Sequence, residues 1–584
     1  MALSPARSVL TRPLPVVSLL DRLALGSWAD VLLVGTLLAL AGYVRWPYLL
    51  LSPQFPSVGD TIMMALDVAE GRAFYLSDSA PYLGAPFIWL LALVYKVAGP
   101  SLEATMLLVW ALGTLTVVPT YLLGREIGGR AGGLIAAAFL ATSGAHTVVT
   151  SHVALSHSLT PLVSTTALWL VARAVRAAAS PIPESRVRGG RLLALGGLLA
   201  GLALQTHPTA APLLVGAALG ALLMQPQWLR TRWPALAVAL VLVGYSSLLV
   251  YHITSRFEII SDVESKQARY LDDDVDAGES ADRGVYLNNL TLLSLSTMRM
   301  VSGAIADRDQ TAAYLSDPWL LTTTGLALVG LAVAAWRRAW WLVISVALAI
   351  FLPPAFSGKY RPILDGRYLM PLLPVLFVAI GLAMAGAAQF IAATGRRVAV
   401  RPGDGGAQAA PSPSRLRASP FQLLIRRSAV MVLAGGTALL VAHPLTLLDT
   451  FYEDSQEDGF SNALYLRTLD QVAAARDGGE TVLLDPLLAT VKSTGGGKAS
   501  SSFTFLLALS KIPAEELTTA TIQTGQTELT GRLAILHRST ADRLDDTLRL
   551  VPLDGKRQNG KDSPSYRAYR IGGASDVAGA KPRR

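Results

Sequence analysis

The sequence predicts a mostly α-helical, polytopic membrane bundle of about eleven spans with a small C-terminal α/β domain. Three observations carry this expectation. Hydrophobic residues make up 52% of the 584-residue chain and charged residues only 16%, where a soluble protein is nearer a quarter charged. Apolar runs of membrane length recur from residue 28 to residue 448, separated by short loops rich in arginine. After Asp449 the chain becomes polar and its patterning changes to short strands and an amphipathic helix.

Spans are expected near 28–50, 103–123, 131–147, 158–176, 192–206, 209–224, 234–253, 318–335, 340–356, 368–393 and 428–448. Arg7, Arg12 and Arg22 precede the first of them, in a cytoplasmic N-terminal segment, 1–27. That first run is too long for a signal-peptide core and lacks a small-x-small exit, so it is expected to stay as a span. Segment 83–99 is apolar too, but is expected to be a surface or re-entrant helix inside a first outer loop, 51–102.

With that choice, Arg125 and Arg130, then Arg173 through Arg191, then Arg230 and Arg232, then Arg337 and Arg338 all fall in loops on one face. So does the Gly-, Pro- and Ser-rich loop 394–427, expected to be disordered. The positive-inside rule makes that face cytoplasmic. The protein is then a multi-pass protein of the plasma membrane, in contact with membrane lipids. Its N-terminus is inside, and the acidic loop 254–317 and the C-terminal part outside. Residues 28–448 form the transmembrane domain.

Residues 449–584 form the predicted extracytoplasmic α/β domain with a disordered tail. Thr481–Asp485, Arg532–His537 and Tyr566–Ile571 read as strands, and Leu464–Arg476 reads as an amphipathic helix.

The net charge of +9 follows from the arginine-rich loops and does not point to nucleic acid. The absence of cysteine excludes disulfides, thiolate metal sites and cysteine nucleophiles. Transporters place ionisable residues at mid-membrane and often show repeated halves. Here the spans hold few acids, the polar candidates gather at one face, and no internal repeat is evident. Transport is therefore disfavoured.

Asp60, in Phe55-Pro56-Ser57-Val58-Gly59-Asp60, follows the first span and is the leading site candidate. A carboxylate there could act as a base or hold a divalent cation; it could also simply cap the helix that begins at Thr61. His152 and His157 lie in a short outer loop, either in a site or satisfied at the interface. Lys359, Arg361 and Arg367 could neutralise a phosphate, the guanidinium gripping two oxygens at once; Arg367 could also snorkel. His207, before Pro208, reads as structural. The Asp-x-Asp run at Asp272–Asp276 reads as solvated surface, and Asp262 and Glu264 are better candidates for a second acid. The stretch 492–498 lacks the first glycine of a phosphate loop and reads as a flexible loop.

Several stretches resemble the GT-C superfamily, integral-membrane glycosyltransferases that include protein O-mannosyltransferases, aminoarabinose transferases and single-subunit oligosaccharyltransferases. They are Gly59-Asp60-Thr61 with Ala69-Glu70-Gly71 and Pro81-Tyr82-Leu83-Gly84-Ala85-Pro86; the run Pro119–Arg125 with Gly128–Ala137 ahead of Ser151–His157; and Gly366-Arg367-Tyr368-Leu369-Met370-Pro371. The resemblance implies transfer of a sugar from a polyprenyl-phosphate donor to a protein, lipid or glycan acceptor at the outer face. It implies catalysis by Asp60, as a base or through a divalent cation (Mg or Mn), and donor-phosphate binding by Arg367; the residues themselves add Lys359 and Arg361 as phosphate cations, and His152 and His157 as phosphate-binding and catalytic candidates. The departures are specific. Many members carry Asp-Glu where this chain has Asp60-Thr61, and an arginine and an acid where it has His152 and His157. A non-catalytic scaffold subunit of a membrane or cell-surface assembly is the alternative reading.

Overall fold

A computed structural model describes residues 27–51, 58–72, 76–77, 80–256, 285–303, 317–356, 366–399, 420–457, 462–492, 498–500, 502–518, 529–544, 549–554 and 566–572. Lys359, Arg361, Asp262, Glu264, the Asp272–Asp276 run and most of the 394–427 loop lie outside these residues.

The chain opens with α1 (Ser27–Arg45), α2 (Val58–Ala69), a small hairpin of β1 (Leu76–Ser77) and β2 (Ala80–Gly84), and α3 (Pro86–Ala98). The α3 helix is the segment expected not to cross. Thirteen residues at about 1.5 Å each fall short of a hydrocarbon core roughly 30 Å thick. Its Phe87, Ile88, Leu91, Ala92 and Tyr95 repeat at helical spacing and are buried. Trp89, Leu93 and Val97 form the opposite face and are exposed, as apolar side chains turned to lipid would be.

Next come α4 (Leu102–Leu115) and α5 (Val117–Thr142). Within α5, Gly129 has φ 70°, a left-handed conformation that favours glycine, and there the helix folds back on itself. Gly124 and Gly133 face each other across the bend so closely that a Cβ on Gly124 would stand 2.9 Å from the Gly133 Cα. The two expected spans 103–123 and 131–147 are therefore joined by a tight helical turn holding Arg125 and Arg130. After it come the buried α6 (Gly144–Ser151), α7 (Thr160–Ala178), α8 (Pro183–Thr206) and α9 (Ala211–Met224). The bent pair α10 (Trp233–Gly244) and α11 (Ser246–Thr254) meets at 69°. The bundle ends with α12 (Val285–Ser302), α13 (Pro318–Trp336), α14 (Trp340–Phe351), α15 (Leu373–Ala399) and α16 (Pro420–Glu457).

Among the described residues, 7 helical stretches are long and apolar enough to cross a membrane, or up to 8 with the bent pair. Pro208–Met224 and Trp340–Ala355 are shorter apolar helices, and the folded-back Leu102–Thr142 is one of the 7. The about eleven apolar segments read from the sequence all appear as helix, but they are unequal in length.

The bundle centres on α5 against α15, with α1 and α7 on α5, α8 on α7 and α13 on α15. One end is held by ion pairs. Asp30 pairs with Arg125 at 2.8 Å and accepts hydrogen bonds from Arg130 and the Tyr121 hydroxyl, both at 2.8 Å. Glu126 pairs with Arg173 at 2.5 Å and Arg176 at 3.0 Å, and Arg337 donates to the Ile127 carbonyl. Loops that the charge pattern assigned to one face thus meet at one end of the fold.

The C-terminal part holds α17 (Asn462–Ala475), β3 (Val482–Leu484), α18 (Pro486–Ala489), the hairpin β4 (Thr490–Lys492) and β5 (Lys498–Ser500), and α19 (Ser502–Leu509). It continues with β6 (Ala514–Glu516), β7 (Leu533–His537), α20 (Arg538–Leu544), β8 (Arg549–Pro552) and β9 (Tyr566–Gly572). Strands β3, β7 and β9 and helix α17 fall where the alternation and periodicity predict them. The five-stranded sheet runs β6-β3-β7-β9-β8, with β3 parallel to β6 and β7 and β9 antiparallel to its neighbours. Tyr465, Phe503 and Tyr566 pack ring against ring, with centroids 4.8–4.9 Å apart. Helix α19 also packs on α2, which ties the sheet to the helix carrying Asp60.

Candidate active site

Two clusters of polar side chains are buried in the bundle away from the ion-paired end. The first is built on Arg45, the last residue of α1, which is fully buried. Its Nε donates to Ser151 Oγ at 2.9 Å. Nη1 donates to the carbonyls of Ala41 (3.0 Å) and Ala141 (2.6 Å). Nη2 donates to the Leu140 carbonyl at 3.0 Å and faces His146 Nδ1 at 3.2 Å. A guanidinium has five N–H donors, and all of them are used. The cation lies where α1 and α5 end, so their last carbonyls supply the negative potential that stabilises it.

His152 is locked to this unit. Its Nε2 lies 3.0 Å from the Arg45 carbonyl, which can only accept. Nε2 therefore carries the proton, and Nδ1 accepts from the Tyr452 hydroxyl on α16, 2.5 Å away. Tyr48 stacks on Tyr452 with centroids 4.3 Å apart and donates to Asp449 at 3.1 Å. Burial holds the His152 imidazole neutral, down at about 3. Both of its ring nitrogens are thus engaged by protein.

The second cluster gathers four short segments. His157 sits on the 3-10 turn Ser156–Ser158 between α6 and α7. His207 ends α8 and opens the 3-10 turn Pro208–Ala210. Arg367 and Tyr368 lie on the turn Gly366–Leu369 that leads into α15. Tyr82 comes from β2. The imidazole centroids of His157 and His207 are 4.1 Å apart; Tyr368 lies 5.7 Å from the first and 5.2 Å from the second. Tyr82 meets His207 edge-on at 6.2 Å. The Arg367 guanidinium donates to the Tyr368 hydroxyl at 3.0 Å and lies 5.0 Å from its ring centroid. Both ring nitrogens of His157, and Nε2 of His207, are buried with no hydrogen-bond partner among the described residues. Beside the cluster, a small apolar recess of about 20 Å³ is walled by Leu213, Ala349, Pro353 and Leu372 together with Thr209 and Tyr368.

Asp60 lies in the first turn of α2, not at its N-cap as the Gly-Asp-Thr pattern implies, and is half-buried. Helix α2 packs on α3, and α3 packs on the turn bearing His157. The helix that carries Asp60 is therefore one helical layer from the turn bearing His157. Among the described residues, no group of three or more His, Cys, Asp or Glu converges to hold a metal ion.

The structure brings His157 and Arg367 together and places His152 in the separate Arg45 unit. It adds His207, read from sequence as structural, and the aromatic rings Tyr82 and Tyr368. Arg45 has a signal in the sequence, being an ionisable residue inside an apolar segment. Tyr452 has none.

Comparison with known proteins bears on the fold. Residues 82–251 match the family model described as dolichyl-phosphate-mannose-protein mannosyltransferase. The chain is similar in structure to ArnT from Cupriavidus metallidurans bound to undecaprenyl phosphate, with TM-score 0.53 and 16% identity over 96% of this chain and 100% of that one. The apo state of the same protein gives 0.52 and 15% over 95% and 100%. A likeness to the archaeal oligosaccharyltransferase AglB from Archaeoglobus fulgidus is weaker, with TM-score 0.44 and 13% identity over 84% of this chain and 65% of that one, and carries no argument. No curated protein matches the sequence. The chain has the fold of ArnT, and the match over residues 82–251 agrees with the resemblance seen in the sequence.

Proposed function

We propose that the chain is a membrane glycosyltransferase that moves a sugar from a polyprenyl-phosphate donor to an acceptor at the extracytoplasmic face. The observation that carries this is the cluster of His157, His207, Tyr368 and Arg367 in a GT-C fold. It sets a guanidinium and unpartnered imidazoles beside an apolar pocket. A phosphate on a lipid tail needs both: donors for its oxygens and an apolar surface for its first isoprene units. Support also comes from the undecaprenyl phosphate bound by ArnT, which shares the fold.

The acceptor's nucleophilic atom attacks the anomeric carbon, and the bond from that carbon to the phosphate oxygen breaks. The phosphate leaves with the electron pair, and its charge falls on Arg367, with Lys359 and Arg361 of the preceding loop as further cations. The acceptor's proton passes to a base, Asp60 or His157. His152, engaged at both ring nitrogens, shapes the loop rather than binding phosphate. No step is routed through a metal ion.

The test is transfer from a polyprenyl-phosphate sugar by purified protein in lipid nanodiscs, alongside Asp60→Ala and Arg367→Ala. Both variants should fold and lose transfer by at least about a hundredfold. Full activity in both would refute the assignment.

A further inference from the structure

We infer that His207 is a ligand-contacting residue whose Nε2–H donates a hydrogen bond to a phosphate oxygen. The inference rests on the site proposed above but assigns it a donor that the sequence reading took as structural.

The tautomer of His207 follows from its neighbours. The backbone N–H of Thr209 points at His207 Nδ1 from 3.2 Å. Thr209 Oγ1 also lies 2.8 Å from Nδ1; an amide N–H can only donate, so Nδ1 presents its lone pair and the threonine hydroxyl, which can do either, donates to it as well. The neutral ring must then carry its proton on Nε2. That atom is buried and has no acceptor among the described residues. A buried N–H without an acceptor is costly and is retained in proteins where something else completes it. The surroundings select what that is. His157 and Tyr368 pack against the ring, and Tyr368 carries the Arg367 guanidinium on its hydroxyl. The charge of Arg367 reaches His207 and gives a positive potential that favours an anionic oxygen and opposes a cation. Burial of the ring, with the same guanidinium as the lesser cause, holds His207 neutral, so it donates without adding charge. Thr209, which orients the imidazole, also walls the apolar pocket. A phosphate held at Nε2 is thus placed beside a surface suited to its lipid.

Two isosteric changes separate the donor from the Thr209 contact. His207→Asn keeps a side-chain oxygen for the Thr209 N–H and removes the donor at the Nε2 position. His207→Gln puts an amide N–H where Nε2 was and loses the Thr209 contact. Binding of undecaprenyl phosphate and of inorganic phosphate to the detergent-purified full chain is measured for the parent and both variants, with melting temperature as the folding control. The expected result is parent binding of the lipid, about tenfold or more weaker in His207→Asn and restored to within about threefold in His207→Gln. A matching loss with inorganic phosphate assigns recognition to the phosphate oxygens alone; a loss with the lipid only assigns it to the phosphate on its lipid. Parent-like affinity in His207→Asn, with binding weakened only in His207→Gln, overturns the inference and leaves the proposed function standing. Absence of lipid binding by the parent overturns both.

Discussion

Replacing Arg45 tests the buried unit that joins the first span, the α5–α6 corner and the last long helix. The guanidinium makes five contacts, to Ser151 Oγ, the Ala41, Ala141 and Leu140 carbonyls and His146 Nδ1. A hydrogen bond from a charged donor contributes about 1.5–3 kcal/mol net. Five such bonds sum to roughly 7–15 kcal/mol, against which stands a desolvation cost of several kcal/mol for a buried ion. Removing the charge by Arg45→Met deletes both and strands helix-end carbonyls in a dry interior. The expected net loss is about 3–5 kcal/mol. Arg45→Lys has three donors and cannot fork, so at least two of the five acceptors lose their partner and about 2 kcal/mol is lost. The assay is thermal unfolding of the detergent-solubilised chain, followed by size-exclusion chromatography. Arg45→Met should lower the midpoint by at least about 5 °C, with Arg45→Lys between it and the parent. A midpoint within about 1 °C of the parent for Arg45→Met would mean that the helix-end carbonyls do without the guanidinium at no cost, and the stabilising role of Arg45 would be refuted.

Acid should expose the buried His152. Its folded-state pKa is held near 3 by burial, below the ordinary 6.5, so the unfolded chain binds the extra proton between those values and stability falls as pH drops through 6.5 toward 3. Between pH 7 and pH 5 the parent should lose about 2 kcal/mol more than His152→Gln; equal slopes in denaturation curves would contradict the buried neutral ring. Asp30→Asn weakens the pairing with Arg125 and Arg130 and should cost about 1–3 kcal/mol, read as a lower melting midpoint that Arg130→Gln does not lower further. Gly330→Leu would drive a side chain onto the Ala379 carbonyl, where α13 meets α15, and should abolish recovery of monodisperse protein. Parent-like yield would show that the two helices can separate.

Residues 83–99 show how far patterning reaches. Their apolar content alone argues for a span; the charge bookkeeping of the neighbouring loops argues against one, and α3 is indeed a short helix with one buried face. The strands at 482–484, 533–537 and 566–572 and helix 462–475 were legible because alternation and helical periodicity are local properties. The N-cap reading of Asp60 missed because helix boundaries depend on neighbours as well as on the residue. His152 and His157 are five residues apart in one short loop, yet their surroundings differ. Whether an imidazole nitrogen meets a carbonyl, a tyrosine or nothing depends on residues hundreds of positions away, such as Tyr452.

By itself the sequence determined the membrane class, the segment order, the loops that share a face and the GT-C resemblance. These follow from hydropathy, charge and short motifs, which act locally along the chain. Only the tertiary structure decided that Arg45 is a fully satisfied internal cation, that His152 belongs with it, and that His207 joins His157, Tyr368 and Arg367. The physical reason is that a polar group's role in a dry interior is set by the partners that packing brings within about 3 Å, and linear sequence does not encode those distances directly.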